Sequence, residues 1–144
     1  VQPDEFQAIA LAVNAADAAG DLERMKKLAI EGLACASHQA EIDPENARAH
    51  YMTGGLMQHL GVGDRGHAEM DYALRIRPND FDVLYNGACF YALDGDPERA
   101  IGLLERAVRH GEGSLDWIEH DSDFRILREL PRFQAIVAQL RAQG

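Results

Sequence analysis

The chain has 144 residues, 47% of them hydrophobic, so it can bury one substantial core or a short stack of repeated units. Its 24 acidic residues outnumber 14 basic ones, and the net charge of -10 at pH 7 disfavours binding to nucleic acid or to an anionic membrane. The two cysteines are too few for a disulfide framework, and no apolar run approaches the roughly 18 residues of a membrane span, so we expect a cytoplasmic protein.

Residues 4–46 predict two helices. The first follows Pro3-Asp4-Glu5, and Gly20-Asp21 marks the turn after it. The second helix is predicted to be seven residues longer than its counterparts, which is close to two helical turns and keeps its apolar stripe facing one direction. The first helix carries Phe6, Ile9, Val13 and Ala16 on one side, and the apolar stripe of the second consists of Leu22, Met25, Leu28, Ala29, Leu33, Ala36 and Ala40.

Residues 47–80 predict a second pair of helices with its turn at Gly61. The segment from Gly61 to Gly66 also matches the G-x-G-x-x-G fingerprint of dinucleotide-binding sites, and Asp80 follows at a suitable distance. That fingerprint requires a strand before its first glycine, whereas the preceding residues AHYMTGGLMQHL have helical spacing. We therefore interpret the glycines as an inter-helix turn, with a dinucleotide-binding enzyme as a remote alternative.

Residues 81–114 predict a third pair of helices. The first runs from about Phe81 to Leu93, and Gly95 marks the turn. Asp96 is placed to cap the second helix, and Pro97 suits its first helical position. Residues 111–113, Gly-Glu-Gly, are predicted to end it.

A shift of 34 residues superimposes the second unit on the third. Small residues match small ones: Gly54 with Ala88, Gly61 with Gly95, Gly66 with Ala100 and Ala73 with Ala107. Gly61 and Gly95 mark the turns, and we expect the other small residues to lie where the two helices of a unit cross, since the missing bulk lets the backbones approach. These residues are Gly54, Gly66, Ala73, Ala88, Ala100 and Ala107.

This pattern resembles the tetratricopeptide repeat (TPR) family, whose 34-residue helical hairpin has small residues at the helix contacts and a closing proline. The matching residues are Gly54, Met57, Gly66, Met70, Ala73 and Pro78 in one unit, and Ala88, Tyr91, Ala100, Leu104 and Ala107 in the next. Glu112 replaces the closing proline, and His50 and Leu84 occupy the place of the usual early tryptophan. The resemblance implies one all-α domain, a right-handed superhelical stack of about three hairpins with units at about 4–46, 47–80 and 81–114.

Residues 115–144 break the period and predict a short helix and a final amphipathic helix. An open stack leaves an apolar end, so we expect Trp117, Phe124 and Phe133 to cap it. The run from Asp121 to Phe133 is similar to a tail that follows TPR units in some bacterial multidomain signalling proteins, including nucleotide cyclases and kinases. This likeness implies that the chain could be a fragment of a larger signalling protein.

The TPR resemblance implies a non-enzymatic interaction or scaffold module that holds a peptide or helix of a protein partner in a concave groove. The first helix of each unit lines this groove, and helical spacing selects the predicted groove residues. They are Gln7, Leu11, Asn14 and Ala18 in the first unit; Arg48, Tyr51, Met52, Gly55 and His59 in the second; and Asp82, Tyr85, Asn86, Cys89 and Leu93 in the third.

Two alternatives belong to other classes. The chain could self-associate as a homodimer that positions a fused catalytic domain, or it could be an enzyme with a deep pocket of titratable groups.

We find no catalytic constellation and expect no cofactor or metal. Asp94-Gly95-Asp96 and Asp121-Ser122-Asp123 are incomplete calcium loops and are interpreted as helix caps. His59, Asp64 and His67 are interpreted as solvated helix ends rather than metal ligands.

Overall fold

The regular elements of residues 3–111 and 115–144, which this computed structural model describes, are all helices; side chains are described from residue 8 onward. The helices are Pro3–Ala18 (α1), Leu22–Ile42 (α2), Ala47–His59 (α3), Gly63–Ile76 (α4), Phe81–Leu93 (α5), Pro97–His110 (α6), Leu115–His120 (α7) and Pro131–Gln143 (α8), with a 3₁₀ helix at Ser122–Leu127 between the last two. The predicted all-α class is confirmed. Within the described residues, no helix combines the length and apolar character that a bilayer crossing requires.

Helix lengths repeat along the chain. Helices α3 and α5 each have 13 residues, and α4 and α6 each have 14. Helix α2 has 21 residues, which confirms the predicted seven-residue extension. Gly20, Gly61 and Gly95 follow α1, α3 and α5 with φ of 74°, 77° and 81°, a left-handed conformation that glycine adopts without steric cost. The hairpins therefore share one turn geometry.

Side-chain caps begin four of the helices. Asp21, Asn46, Asp80 and Asp96 each accept a hydrogen bond of 3.1 Å from the backbone N–H three residues later. Each cap satisfies an amide that has no partner within the helix. The prediction that Asp96 caps the second helix of its unit is confirmed, and Pro97 is the first residue of α6.

Contacts group the chain into two compact units, residues 1–76 and residues 77–144. In the first unit each helix packs on the next along the chain. A Cβ at Gly32 of α2 would meet Ile9 of α1 and Leu56 of α3, so three helices converge there. A Cβ at Gly54 would lie 2.8 Å from the carbonyl oxygen of Gly66. The backbones of α3 and α4 therefore approach closely at Gly54 and Gly66, as the sequence predicts.

His50 forms a polar anchor at the start of α3. His50 Nδ1 lies 2.6 Å from Glu69 Oε2, and its Nε2 lies 2.9 Å from the carbonyl oxygen of Pro44. The ring of His50 also packs on Tyr72, with centroids 4.5 Å apart. One side chain thereby fastens the start of α3 to both α4 and the preceding turn.

In the second unit α5 packs on α6, and the predicted small residues Ala88 and Ala100 are fully buried. The 3₁₀ helix packs on α5, while α8 packs on α6 and α7. Phe124 and Phe133 are buried, as expected of residues that cover an apolar surface, but Trp117 is 59% exposed. The predicted capping role of Trp117 is wrong, because α7 buries Ile118 instead.

Candidate functional site

In the first unit the predicted groove residues differ in exposure. Leu11 and Asn14 of α1 face solvent, and Leu11 is 63% exposed. Tyr51 and Met52 of α3 are only 8% and 9% exposed, so they belong to the core more than to an open surface. The others lie as follows: Ala18 is exposed, Arg48, Gly55 and His59 are half-buried, and Gln7 lies on α1 with its side chain outside the described residues.

Gly55 is an open backbone position on α3. A Cβ at Gly55 would have nothing within 4 Å, whereas one at Gly54 would collide with the backbone of α4. Gly55 thus leaves a gap that an incoming side chain could fill without moving the helix.

His59 joins this surface to α1. Its Nδ1 lies 3.7 Å from Asp17 Oδ2, which brings this predicted groove residue of α3 beside the last turn of α1. Burial lowers the pKa of His59, and the negative charge of Asp17 opposes this shift. His59 is therefore largely neutral at pH 7. We call the surface formed by Leu11, Asn14, Gly55 and His59 the α1/α3 face.

On α5 some of the predicted groove residues face solvent, and others are covered by the segment around the 3₁₀ helix. Asp82 and Leu93 are exposed, and the Asn86 amide is used within the helix, where it donates to the carbonyl oxygen of Asp82. Tyr85 and Cys89 are half-buried by the segment before and within the 3₁₀ helix. Helical spacing indicated the outward side of α5 but could not show that this segment occupies part of it.

Tyr85 binds the tail in two ways. Its hydroxyl donates a hydrogen bond of 2.7 Å to Asp121 Oδ2, and its ring packs edge-on against Phe124 with centroids 5.4 Å apart. Burial raises the pKa of the Tyr85 hydroxyl, and the nearby carboxylate of Asp121 raises it further. The hydroxyl therefore remains a donor at neutral pH and fastens the tail to α5.

The carboxylate of Asp121 also accepts from a second half-buried donor, the thiol of Cys89. Cys89 Sγ lies 3.7 Å from Asp121 Oδ2, and ligand atoms of Cys89, Asp121 and Asp123 all lie within 4.8 Å of one another. Burial raises the pKa of the Cys89 thiol well above its ordinary value, and the two carboxylates add to this shift. The thiol is therefore protonated and weakly nucleophilic at neutral pH. Asp121 also caps the 3₁₀ helix by accepting from the Asp123 N–H, which confirms the predicted cap.

Sequence reasoning did not join Cys89 to this aspartate pair. The two segments are separated by 32 residues, and no spacing rule links a helix to a following irregular tail. The one available signal was that the sequence placed Cys89 on the outward side of α5 and marked Asp121-Ser122-Asp123 as an incomplete calcium loop.

The glycine fingerprint lies in the turn between α3 and α4. The residues before Gly61 form α3, so no strand leads into this turn. Without that strand the turn lacks the geometry by which a Rossmann unit presents a helix end to pyrophosphate.

The chain was compared with models of protein families and with curated proteins, and neither comparison found a match. The TPR resemblance therefore rests on the residues of the chain itself.

Proposed function

We propose that the three hairpins are TPR-like repeats of a right-handed superhelical stack and that the chain is a non-enzymatic protein-interaction module. Its ligand in this proposal is a peptide or helix of a protein partner, which binds the first helices of the hairpins through apolar and polar contacts. The chain would then act as an adaptor or scaffold segment of a signalling protein.

One observation carries the proposal: the hairpins repeat the same helix lengths and the same turn conformation. The pairs α3/α4 and α5/α6 have equal lengths of 13 and 14 residues, and their turn glycines share a left-handed conformation. Proteins built from such repeats commonly use the exposed side of one helix in each unit for binding. Repetition of the hairpin therefore favours binding over catalysis.

The α1/α3 face is the strongest part of the proposed binding surface. It combines an exposed leucine, an open glycine and a neutral imidazole, a mixture that suits an amphipathic ligand. Tyr51 and Met52 would support this face from beneath, because they are buried. On α5 the proposed contribution is limited to Asp82, Asn86 and Leu93, since Tyr85 and Cys89 are engaged by the tail.

Two open glycines provide a matched test of this surface. Gly55 of α3 and Gly102 of α6 both lie in helices, and a Cβ at either position would have nothing within 4 Å. Gly55→Trp should block the α1/α3 face, whereas Gly102→Trp changes a second helix of a hairpin, outside the predicted groove. Both substitutions also replace glycine in a helix, so their effects on helix propensity should be similar.

The experiment is affinity capture with wild type and both variants, followed by quantification of each captured protein. We expect a partner that binds wild type and Gly102→Trp but is reduced at least tenfold on Gly55→Trp. Capture of the same proteins at equal levels on all three chains would remove the α1/α3 face as the binding surface.

A further inference from the structure

Three groups that can bind metal converge between α5 and the tail. Cys89 comes from the last turns of α5, while Asp121 and Asp123 flank the start of the 3₁₀ helix. Their ligand atoms lie within 4.8 Å of one another, and the sulfur of Cys89 is 3.7 Å from the nearest Asp121 oxygen. We propose that these three side chains form a binding site for a thiophilic divalent cation of the zinc class. The proposal stands on this cluster alone and does not depend on the proposed interaction function.

The spacing is compatible with tetrahedral coordination. Bonds of about 2.3 Å to sulfur and about 2.0 Å to oxygen place neighbouring ligand atoms about 3.5 Å apart around zinc. The pair formed by Cys89 Sγ and Asp121 Oδ2 already has nearly this separation. The remaining pairs lie within 4.8 Å, so they need to close by no more than about 1.5 Å, which side-chain rotation can supply.

The donor set selects the class of ion. Two carboxylates alone would suit calcium or magnesium, which prefer oxygen ligands and higher coordination numbers. The Cys89 sulfur adds a soft donor from a separate helix, and a thiolate with two carboxylates favours zinc or a related ion such as cobalt(II) or cadmium. Three protein ligands would leave a fourth position for water or for a group from a ligand.

The carboxylate at the centre of the cluster is held in place by neighbouring donors. The Tyr85 hydroxyl donates to Asp121 Oδ2, and the backbone N–H of Asp123 donates to Asp121 Oδ1. Such outer hydrogen bonds orient metal-binding carboxylates and reduce the reorganisation needed on binding. The Asp121 side chain is therefore already directed at the space beside the thiol.

Binding replaces the thiol proton with the cation. The Cys89 S–H bond breaks, a sulfur–metal bond forms, and one proton is released to solvent. The thiolate and two carboxylates carry three negative charges, of which a dication neutralises two. Because metal and proton compete for the same sulfur, the apparent affinity should rise about tenfold for each pH unit while the thiol remains mostly protonated.

Cobalt(II) is a direct probe, because a thiolate bound to cobalt gives a near-ultraviolet charge-transfer band and tetrahedral cobalt gives strong visible bands. We would titrate Co²⁺ alone into the full chain and into Cys89→Ser, Asp123→Asn and Cys35→Ser variants. Cys35 is the other cysteine and is also half-buried, so Cys35→Ser is the matched control. Thermal unfolding of each variant, followed by circular dichroism, verifies that it is folded.

We expect the charge-transfer band in wild type and Cys35→Ser, its complete loss in Cys89→Ser, and at least tenfold weaker cobalt binding in Asp123→Asn. Zinc should displace the cobalt, and the cobalt affinity should rise about tenfold when the pH is raised by one unit. The site is refuted if wild type shows no band, or if the band persists in Cys89→Ser or disappears in Cys35→Ser. If Cys89→Ser does not fold, unchanged cobalt affinity of a folded Asp123→Asn variant overturns the proposal.

Discussion

At the residue scale, the adjacent glycines Gly54 and Gly55 of α3 have opposite surroundings. A Cβ at Gly54 would lie 2.8 Å and 3.2 Å from backbone atoms of Gly66 and Met70, whereas Gly55 has open space. Gly54→Ala should lower the free energy of unfolding by about 1 to 3 kcal/mol, because the backbone of α4 must move. Gly55→Ala should raise it by up to about 1 kcal/mol, because alanine loses less entropy in a helix.

Urea unfolding followed by circular dichroism measures both substitutions under the same conditions. The two chains differ from wild type by one methyl group at neighbouring positions, so each controls for the other. A Gly54→Ala variant that is as stable as wild type, or more stable, would contradict the close approach of α3 and α4.

A second prediction at the residue scale concerns the contribution of Tyr85 to stability at alkaline pH. Its pKa is raised above the ordinary value of 10.0, chiefly by burial, so ionisation is disfavoured in the folded chain. The contribution of Tyr85 is therefore fully present below pH 10.0 and is lost as the pH rises further. Tyr85→Phe cannot ionise at this position and should reduce the alkaline loss of stability.

The measurement is the melting temperature from about pH 8 to about pH 11, a range that brackets the ordinary tyrosine pKa. Near neutral pH, Tyr85→Phe should be less stable by about 1.5 to 3 kcal/mol, because it loses a hydrogen bond to a carboxylate. Tyr72→Phe is the control, since it leaves the Tyr85 contact intact. Parallel pH profiles for wild type and Tyr85→Phe would exclude the predicted role.

At the scale of elements, α8 is joined to α6 by an exposed ion-pair cluster. Arg132 donates to both carboxylate oxygens of Glu105, at 2.9 Å and 2.8 Å, and to Glu98 at 3.1 Å. The hydrogen bond from Arg132 lowers the pKa of Glu105. The contribution of Glu105 is therefore present above its ordinary pKa of 4.5 and is lost as the pH falls.

Arg132→Gln should lower the melting temperature slightly at pH 7 and low salt, because exposed ion pairs contribute little. The difference from wild type should shrink in about 1 M NaCl, where screening acts within a few ångströms. It should also shrink on acidification below pH 4.5. Arg125→Gln removes the same charge from the 3₁₀ helix, and an equal effect of this control would argue against a specific α6/α8 contact.

The elements that the sequence predicted well are those with a repeating pattern and a marked end. Helix α5 spans Phe81–Leu93 as predicted, because Asp80 caps its start and Gly95 provides the left-handed turn after it. The tail was harder to predict. Helix α7 has only six residues, too few for periodicity to show which side is covered, so the exposure of Trp117 was missed.

At the scale of the whole molecule, helical spacing predicted which side of a helix is exposed, but it could not predict which residues distant in sequence come into contact. Helical spacing identified the outward side of α1, and Leu11 and Asn14 are exposed there. It could not predict that Asp121 would reach Tyr85 and Cys89, because that contact depends on the path of an irregular segment. Periodicity reports the orientation of a residue within its own helix, whereas a cluster depends on what packs against that helix.

The net charge of -10 predicts that salt acts on the whole molecule in the opposite direction to its effect on the Arg132 cluster. Surplus negative charges repel one another in the compact state, and screening weakens this repulsion. Raising NaCl from about 10 mM to about 150 mM shortens the Debye length from about 30 Å to about 8 Å. The melting temperature of wild type should therefore rise over this range, even as the difference between wild type and Arg132→Gln shrinks. A wild-type melting temperature that falls with salt would mean that favourable ion pairs outweigh the repulsion between surplus carboxylates.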